Sequence, residues 1–263
     1  MFQLHHDAQL EPQTLNGVVV VVLFNFWPQH RPWVWLHLMQ GPGRYLKTVP
    51  GLLFAKIMGS GDGGGFGLKP SSTHQGLIFF FDTPQAASAY LNSDDLQQIR
   101  SKAQDWWQGL LGVNSCRGSW GSQRWTSEGL LDEHDSSPAS PPIHHVASLT
   151  RGSVRASKAM SFWRFAPAAQ ADLAQAPGCV LSMGLGEAPV LRQCTFSVWK
   201  DTESIVNYAH QGAHLKAIAA AQKHGFFTES MFVRMQVLHM RGSWAGRAFD
   251  ANAPVAHALG LAT

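Results

Sequence analysis

The tetrapeptide Arg117-Gly118-Ser119-Trp120 recurs in the second half of the chain as Arg241-Gly242-Ser243-Trp244. Two further pairs repeat in the same order before it: Pro50-Gly51 with Pro177-Gly178, and Asp82-Thr83 with Asp201-Thr202. One short match arises easily by chance, whereas three matches in one order indicate an internal duplication. The chain is therefore predicted to consist of two halves built on one plan.

The two halves also share an order of predicted secondary-structure elements. Each half begins with a strand and a helical stretch. A second strand follows Pro-Gly, and a third strand ends at Asp-Thr, where the Asp can cap the next helix. A last strand closes each half. The predicted elements are 18–26, 33–47, 52–58, 77–81 and a helix over 84–107 in the first half, and 146–150, 161–176, 179–183, 194–199, a helix over 203–224 and 232–238 in the second. This β-α-β-β-α-β order is the ferredoxin-like motif. We therefore expect an α+β fold in which tandem ferredoxin-like repeats form one pseudo-symmetric barrel of the dimeric α+β type.

The boundaries of the halves follow from local composition. Residues 127–145 combine an acidic run with Ser and Pro, which is typical of a linker. We accordingly predict an N-terminal half at 15–126, a linker at 127–145 and a C-terminal half at 146–245. The Ala- and Gly-rich residues 246–263 are predicted to form a loose tail.

The composition is poor in charge and rich in large aromatic side chains. Lys and Arg number 20 against 17 Asp and Glu, and charged residues make up 14% of the chain, compared with about 25% in ordinary soluble domains. A formal net charge of +3 gives no basis for a nucleic-acid surface, which needs clustered Lys and Arg. The 10 Trp and 15 Phe suit a lipophilic ligand or a membrane face, and equally a large aromatic core.

The cysteine count and the length of the apolar runs indicate the cellular compartment of the protein. Cys116, Cys179 and Cys194 are odd in number and lack CxxC spacing, which argues against a disulfide framework and a cysteine zinc site. The longest apolar run, Val18–Phe26, is shorter than the roughly 20 residues that span a bilayer. Because residues 1–14 do not resemble a signal peptide, we expect a cytoplasmic protein.

The two halves differ most in their second helix. The segment 203–224 contains His210 and His214, whereas its counterpart near 90–98 contains acids and no His. On one continuous helix these histidines are i and i+4, and their side chains converge at the flank of the apolar face. Three interpretations stay open: two surface histidines, a zinc pair that lacks the Glu of HExxH because Gln211 stands there, or a His that binds haem iron as axial ligand.

The Gly-rich segment 59–65 invites a phosphate-binding interpretation. It lacks the GK[ST] ending of a P-loop and the strand–GxGxxG–helix context of a dinucleotide fold. A loop between two strands that acts as a lid over a cavity fits the sequence better.

Several further short motifs are spread from about Val18 to Trp244. Besides the two Arg-Gly-Ser-Trp copies and Pro50-Gly51, they are Gly59-Ser60-Gly61, Gly65-Phe66, Leu149-Thr150-Arg151, Phe162-Trp163-Arg164, Gly184-Leu185-Gly186-Glu187-Ala188-Pro189, Gln193 with Thr195-Phe196-Ser197-Val198-Trp199, and Gly212-Ala213-His214. In these motifs and their order the chain resembles the spheroidene monooxygenases of carotenoid biosynthesis. The resemblance implies a haem-dependent oxygenase that uses haem b iron, O2 and an electron donor such as a ferredoxin to form a hydroxyl and then a ketone on an acyclic carotenoid.

The resemblance also implies kinship with dimeric α+β barrel haem proteins such as chlorite dismutases and dye-decolorizing peroxidases. In those proteins a helix His binds the iron, and the matching position is His214, ahead of His210. On the opposite side Arg192 and Glu187 are candidates to polarise bound oxygen, although Glu187 also fits a solvated loop acid.

Four aromatic side chains are candidates to wall an apolar pocket for a macrocycle or polyene: Phe162, Trp163, Phe226 and Phe227. Each of them also fits an ordinary core. Two other functions stay open, a haem dehydratase or peroxidase on a smaller substrate and a non-catalytic haem or lipophile binder. A carotenoid dissolves in membranes, so we also expect peripheral membrane contact.

Overall fold

A computed structural model describes residues 11–38, 40–65, 67–130, 145–188 and 190–252 of the protein. Its strands are β1 (Gln13–Asn16), β2 (Val18–Phe26), β3 (Leu52–Gly61), β4 (Pro70–Phe81), β5 (Ala103–Gly118), β6 (Gln123–Thr126), β7 (Val146–Val154), β8 (Cys179–Ala188), β9 (Arg192–Trp199), β10 (Phe227–Trp244) and β11 (Arg247–Asn252). Its α-helices are α1 (Arg31–Leu38), α2 (Gly41–Thr48), α3 (Pro84–Leu91), α4 (Asp94–Arg100), α5 (Ala159–Trp163), α6 (Ala166–Ala174), α7 (Thr202–Ala209) and α8 (Gly212–His224).

The strands close into an antiparallel barrel. Neighbours follow the order β10-β5-β2-β4-β3-β8-β9-β7, and β7 pairs with β10 to complete the ring. Within each half the order is that of a ferredoxin-like sheet, β5-β2-β4-β3 in the first and β10-β7-β9-β8 in the second. The predicted fold, two ferredoxin-like repeats in one pseudo-symmetric α+β barrel, is confirmed.

The barrel is filled by side chains, and the run Val18–Phe26 shows why the strands are so apolar. Val19 and Val21 belong to the core inside the barrel, whereas Val18 and Val20 belong to a second core under the first-half helices. A strand that is buried on both faces needs apolar residues at every position, not at alternate ones. The first half is therefore closed on both sides of its sheet.

Three predicted elements differ from the structure. The helix predicted over 84–107 ends at Arg100, and Trp107 lies inside the barrel on β5. The helix predicted over 203–224 is broken into α7 and α8. The tail predicted to be loose begins with β11, which pairs with β10 and buries Phe249. Most of the predicted linker, residues 131–144, lies outside the described residues.

A turn follows each copy of the repeated tetrapeptide, and an acidic residue of the other half holds it in place. Glu229, at the start of β10, accepts hydrogen bonds from the backbone N–H of Gly121 (2.7 Å) and of Ser122, just after the first copy. Asp105, at the start of β5, accepts from the Ala245 N–H (2.8 Å) and the Ser243 hydroxyl, around the second copy. Each half thus supplies the acid that holds the turn of the other.

The glycine of each tetrapeptide is required by this packing. Gly118 has φ +78°, and a Cβ there would overlap the carbonyl oxygen of Ser230 on β10. Gly242 has φ +120°, and a Cβ there would overlap the carbonyl oxygen of Trp106 on β5. Only glycine combines a positive φ with so close an approach of a neighbouring strand.

Candidate functional site

The outer faces of the two half-sheets are covered differently. In the first half, large apolar side chains such as Val20, Val22 and Phe79 are fully buried beneath the helices. In the second half, the corresponding core is a small cluster of Leu173, Trp199 and Ile205. Among the described residues, fewer large side chains are thus buried beneath α5–α8 than beneath α1–α4.

Small or polar residues line the outer faces of β7, β8 and β9, while β10 places Phe232 opposite Thr150 and Arg234 opposite Ser148 on the same side of the sheet. Residues that are paired directly across antiparallel strands share a face, and three cross-strand rows contain Ser182–Ser197–Ser148, Gly184–Thr195–Thr150 and Gly186–Gln193–Gly152. We call these nine residues the polar floor. At its edge, near Val146, Ile205 and Arg234, there is a cavity of about 240 Å³.

His214 lies in the first turn of α8, which begins where Asp172 on α6 accepts a hydrogen bond from the Ala213 N–H (2.6 Å). Gly212 has φ +60°, and a Cβ there would lie 2.6 Å from the Asp172 Oδ2. Residues other than glycine disfavour this left-handed conformation. Gly212 is the first residue of α8 and lies just after the break that separates α8 from α7. His210 lies outside α8, at the exposed end of α7. The prediction that both histidines share one continuous helix face is therefore wrong.

The imidazole of His214 is stacked in a column of rings. Its ring lies 4.5 Å from that of Tyr208, which lies 5.1 Å from that of Trp199 at the end of the polar floor. The Tyr208 hydroxyl donates to the Ala169 carbonyl oxygen (2.9 Å), which fixes the column to α6. We call these three rings the His214 stack. Within the described part of the chain, neither ring nitrogen of His214 has a hydrogen-bond partner.

The electrostatics favour a neutral imidazole at this position. Burial lowers the pKa of His214 below its ordinary value, and the nearby Asp172 carboxylate opposes this effect without cancelling it. A neutral imidazole with an unpaired nitrogen is a metal ligand. Among the described residues, no group of three or more His, Cys, Asp or Glu is placed to hold a metal ion.

The four predicted aromatic residues come together at the opposite end of the floor. The Phe162 ring lies 5.5 Å from Trp163, 6.1 Å from Phe226 and 5.8 Å from Phe227. A Cβ on Gly152 of the floor would lie 2.6 Å from the Phe227 ring. This aromatic cluster therefore closes one end of the floor, while the His214 stack lies at the other.

Glu187 lies on the other side of the sheet, at the mouth of the barrel. Its carboxylate contacts the Lys56 Nζ (2.8 Å) and an Arg151 guanidinium nitrogen (3.1 Å) and accepts from the Trp120 indole N–H (3.1 Å). Burial alone would raise the pKa of Glu187, but its bonds to Lys56 and Arg151 and their charges outweigh burial and lower it. The interpretation of Glu187 as a solvated loop acid is therefore wrong.

Arg192 is exposed at the start of β9. The column that holds His214 contacts the far end of the same strand, seven residues away, which is roughly 23 Å at about 3.3 Å per residue. The structure thus brings neither Arg192 nor Glu187 to His214, and their catalytic role stays a prediction.

Sequence reasoning did not identify the polar floor, Tyr208 or Asp172. The available signal was the contrast between strands. The run Val18–Leu23 is apolar at every position, whereas Val146–Val154 alternates apolar residues with Ser and Thr. Such alternation normally marks a solvent-facing side, and only the helices over it make it part of a site.

No helix among the described residues is long and apolar enough to cross a membrane. Comparison with solved structures finds the same fold in two aldoxime dehydratases. One is 11% identical, with a TM-score of 0.54 over 86% of this chain and 82% of that chain. The other is 13% identical, with a TM-score of 0.52 over 89% of this chain and 88% of that chain. At such low identity the likeness concerns the fold alone.

Comparison with curated proteins identifies the family. No family model matches the chain. The spheroidene monooxygenase of Rubrivivax gelatinosus is 41% identical over 92% of this chain and 91% of its own length. The spheroidene monooxygenase of Rhodobacter capsulatus is 32% identical over 82% of this chain and 88% of its own length. The protein is thus an oxidoreductase and belongs to the spheroidene monooxygenase family.

Proposed function

We propose that the protein is a haem-dependent monooxygenase that acts on an acyclic carotenoid or a similar long apolar molecule. The substrate class is supported by the names of relatives that match nearly the whole chain. The cofactor is supported by one observation above all. His214, whose pKa is lowered by burial and whose ring nitrogens accept or donate no hydrogen bond among the described residues, stands at the end of the polar floor, where the first half has a packed apolar core.

The residues present fit a haem group. His214 would bind the iron, and Asp172 would hold the start of α8 so that the imidazole keeps its position. The small residues of the polar floor are of the kind that a macrocycle lying against the sheet would require, and the aromatic cluster would provide an apolar wall. When bound, haem would supply the activation of O2 that amino-acid side chains cannot perform.

The overall reaction defines the partners. Hydroxylation consumes one O2, two electrons and two protons, places one oxygen atom in a C–H bond of the substrate and releases the other as water. A second hydroxylation at the same carbon followed by loss of water gives a ketone. An electron donor such as a ferredoxin is therefore required, and a carotenoid substrate requires peripheral contact with a membrane.

In this proposal the residues of the chain position the haem and the substrate, exclude water from them and hold the His214 imidazole in its neutral form. The proposal does not include Glu187, which lies on the inner face of the barrel, or Arg192, which lies at the far end of β9. The fold shared with aldoxime dehydratases does not favour a dehydratase, because fold likeness alone does not carry chemistry.

The test is haem reconstitution of three purified proteins: wild type, His214→Ala and His210→Ala. We expect a Soret band for wild type and His210→Ala and its loss in His214→Ala, with added imidazole restoring it. Circular dichroism checks that all three are folded. Loss of the band in His210→Ala but not His214→Ala would move the ligand to His210, and a wild type that never binds haem would end the proposal.

Turnover is measured separately. With O2, reduced ferredoxin and an acyclic carotenoid in detergent, wild type is expected to form products with one added oxygen atom and then the ketone. Haem binding without any oxygenated product would leave a non-catalytic haem protein.

A further inference from the structure

Exposed apolar and basic side chains alternate at one end of the second half, beside the aromatic cluster. Met160 is 79% exposed, and Phe165, Val190 and Leu191 are each 36% exposed. The basic side chains of the same segments are also exposed: Arg155, Lys158, Arg164 and Arg192. We call these eight residues the entry rim. Exposed apolar groups of this size normally mark an interaction surface.

Backbone contacts hold the segments of the rim together. The Val154 N–H donates to the Leu191 carbonyl oxygen (2.7 Å), and the Arg155 N–H donates to the Phe226 carbonyl oxygen (2.8 Å). The Arg155 Nε also donates to the Gly225 carbonyl oxygen (3.1 Å). The segments after β7, before β9 and before β10 therefore present one surface.

The rim adjoins the candidate site directly. The Phe165 ring lies 6.2 Å from the Phe226 ring of the aromatic cluster, and the Trp163 indole N–H donates to the Val190 carbonyl oxygen (3.0 Å). Val190 has φ +69°, a conformation that is unfavourable for a β-branched residue and persists only where the surroundings impose it. Its carbonyl is turned towards the protein while its apolar side chain stays exposed.

The charge of the rim lacks compensation. From Ser136 to Ala171 the sequence contains no Asp or Glu. None of the four basic rim side chains forms an ion pair within the ranges that the structure describes. A surface with uncompensated cations next to exposed apolar groups complements an anionic partner that has an apolar interior.

We propose that the entry rim binds the surface of a bilayer that contains anionic lipid. Basic residues contact anionic headgroups, while Met160 and its apolar neighbours reach the boundary with the acyl chains. An acidic electron-donor protein would also attract the cations. The bilayer is favoured because an aliphatic side chain as exposed as Met160 gains most from hydrocarbon.

The first half carries a matched surface that serves as an internal control. Its Arg31 and Lys47 are exposed, and Leu36 is 65% exposed. This surface covers the closed core beneath α1–α4, not a floor of small residues. Binding through the entry rim brings the membrane to the end of the polar floor, and this role in substrate entry rests on the proposed function. Membrane binding itself is measured without turnover.

The experiment is cosedimentation with vesicles of phosphatidylcholine, with and without phosphatidylglycerol. Replacing Lys158 and Arg164 together with Gln is expected to weaken binding to the anionic vesicles about 30-fold, since each cation contributes about 1 kcal/mol. Met160→Asp is expected to weaken binding about tenfold or more, because it removes an inserting group and adds repulsion. Wild-type binding falls as salt is raised.

The control variants are Arg31→Gln with Lys47→Gln, and Leu36→Asp, for which we expect less than about a threefold change. Circular dichroism confirms folding of each variant. A larger loss in the first-half variants would overturn the assignment. Unchanged vesicle binding of the Lys158→Gln, Arg164→Gln protein would also overturn it. If the KM for reduced ferredoxin rose in that protein, the rim would be identified as the binding site of the electron donor.

Turnover separates this inference from the proposed function. The rim variants are expected to oxidise detergent-dispersed carotenoid as wild type does and to lose activity on carotenoid embedded in vesicles. Equal loss in both assays would contradict a role in docking. Absence of haem or of any turnover leaves the vesicle-binding result to be judged on its own.

Discussion

Glu187→Gln separates a structural from a catalytic role for this carboxylate. The carboxylate is 10% exposed and joins the halves, because Lys56 lies on β3 of the first half and Arg151 on β7 of the second. Arg151 is itself 4% exposed and also pairs with Glu229. The substitution keeps the size of the side chain and removes its charge.

The expected cost follows from the partners that remain. Breaking a buried ion pair by removing one partner costs about 3–5 kcal/mol. Arg151 keeps Glu229, and Lys56, which is 30% exposed, regains water. Both effects reduce the loss, so we expect Glu187→Gln to lower the free energy of unfolding by about 2–3 kcal/mol.

Urea unfolding at pH 7 measures this change, with Glu128→Gln as the control. Glu128 is exposed, and its substitution is expected to stay within about 0.5 kcal/mol of wild type. The pKa of Glu187 is lowered in the folded protein. Its stabilising effect is therefore complete above the unfolded-state value of about 4.3 and is lost as pH falls through the lower folded value. The difference between wild type and Glu187→Gln should shrink below about pH 4.

A catalytic role would produce a different result. If Glu187→Gln unfolds at the same urea concentration as wild type and yet abolishes turnover in the reconstituted enzyme, the structural reasoning is refuted. The carboxylate would then act on the reaction, as the sequence analysis proposed for a group that polarises bound oxygen.

Three further predictions concern α7 and α8. Gly212→Ala is expected to lower the free energy of unfolding by about 1–2 kcal/mol, and Gly246→Ala, the control, by less. Both glycines have a positive φ, but only at Gly212 would the new Cβ meet a close neighbour, Asp172. Asp201→Ala removes the side chain that accepts from the Ser204 N–H (2.7 Å) and should cost about 1 kcal/mol in the same assay. Because burial lowers the pKa of His214, the neutral form of its imidazole predominates at the ordinary His value of about 6.5, so haem added at pH 6.5 should bind nearly as well as at pH 7.5. A Soret band that weakens between these two values would contradict that assignment.

The duplication and the barrel could be predicted because they depend on short motifs in a fixed order. The helix ends could not be predicted in the same way. The predicted helix over 84–107 ran on into β5 because no Gly or Pro separates Arg100 from Ala103. The predicted helix over 203–224 ran through Gly212, where the break involves a contact with Asp172, which is distant in sequence.

The candidate site was predicted in part. The four aromatic residues lie together because they flank two strands that are neighbours in a ferredoxin-like sheet, and their role as a pocket wall stays a prediction. The polar floor depends on the register of three strands, which places Thr150 opposite Thr195. The location of Glu187 depends on which face of β8 it occupies, and a residue next to a strand end does not reveal that.

The position of β10 in the ring has a consequence for biosynthesis. β10 bonds to β5 on one side and to β7 on the other, and it is the last barrel strand that the ribosome makes. Until residue 244 has emerged, β5 and β7 are both open edges, which readily pair with other chains. A nascent chain that stalls before β10 is thus expected to need chaperone protection. Release of the complete C-terminal strand is expected to cover both edges and so to lower the tendency to aggregate.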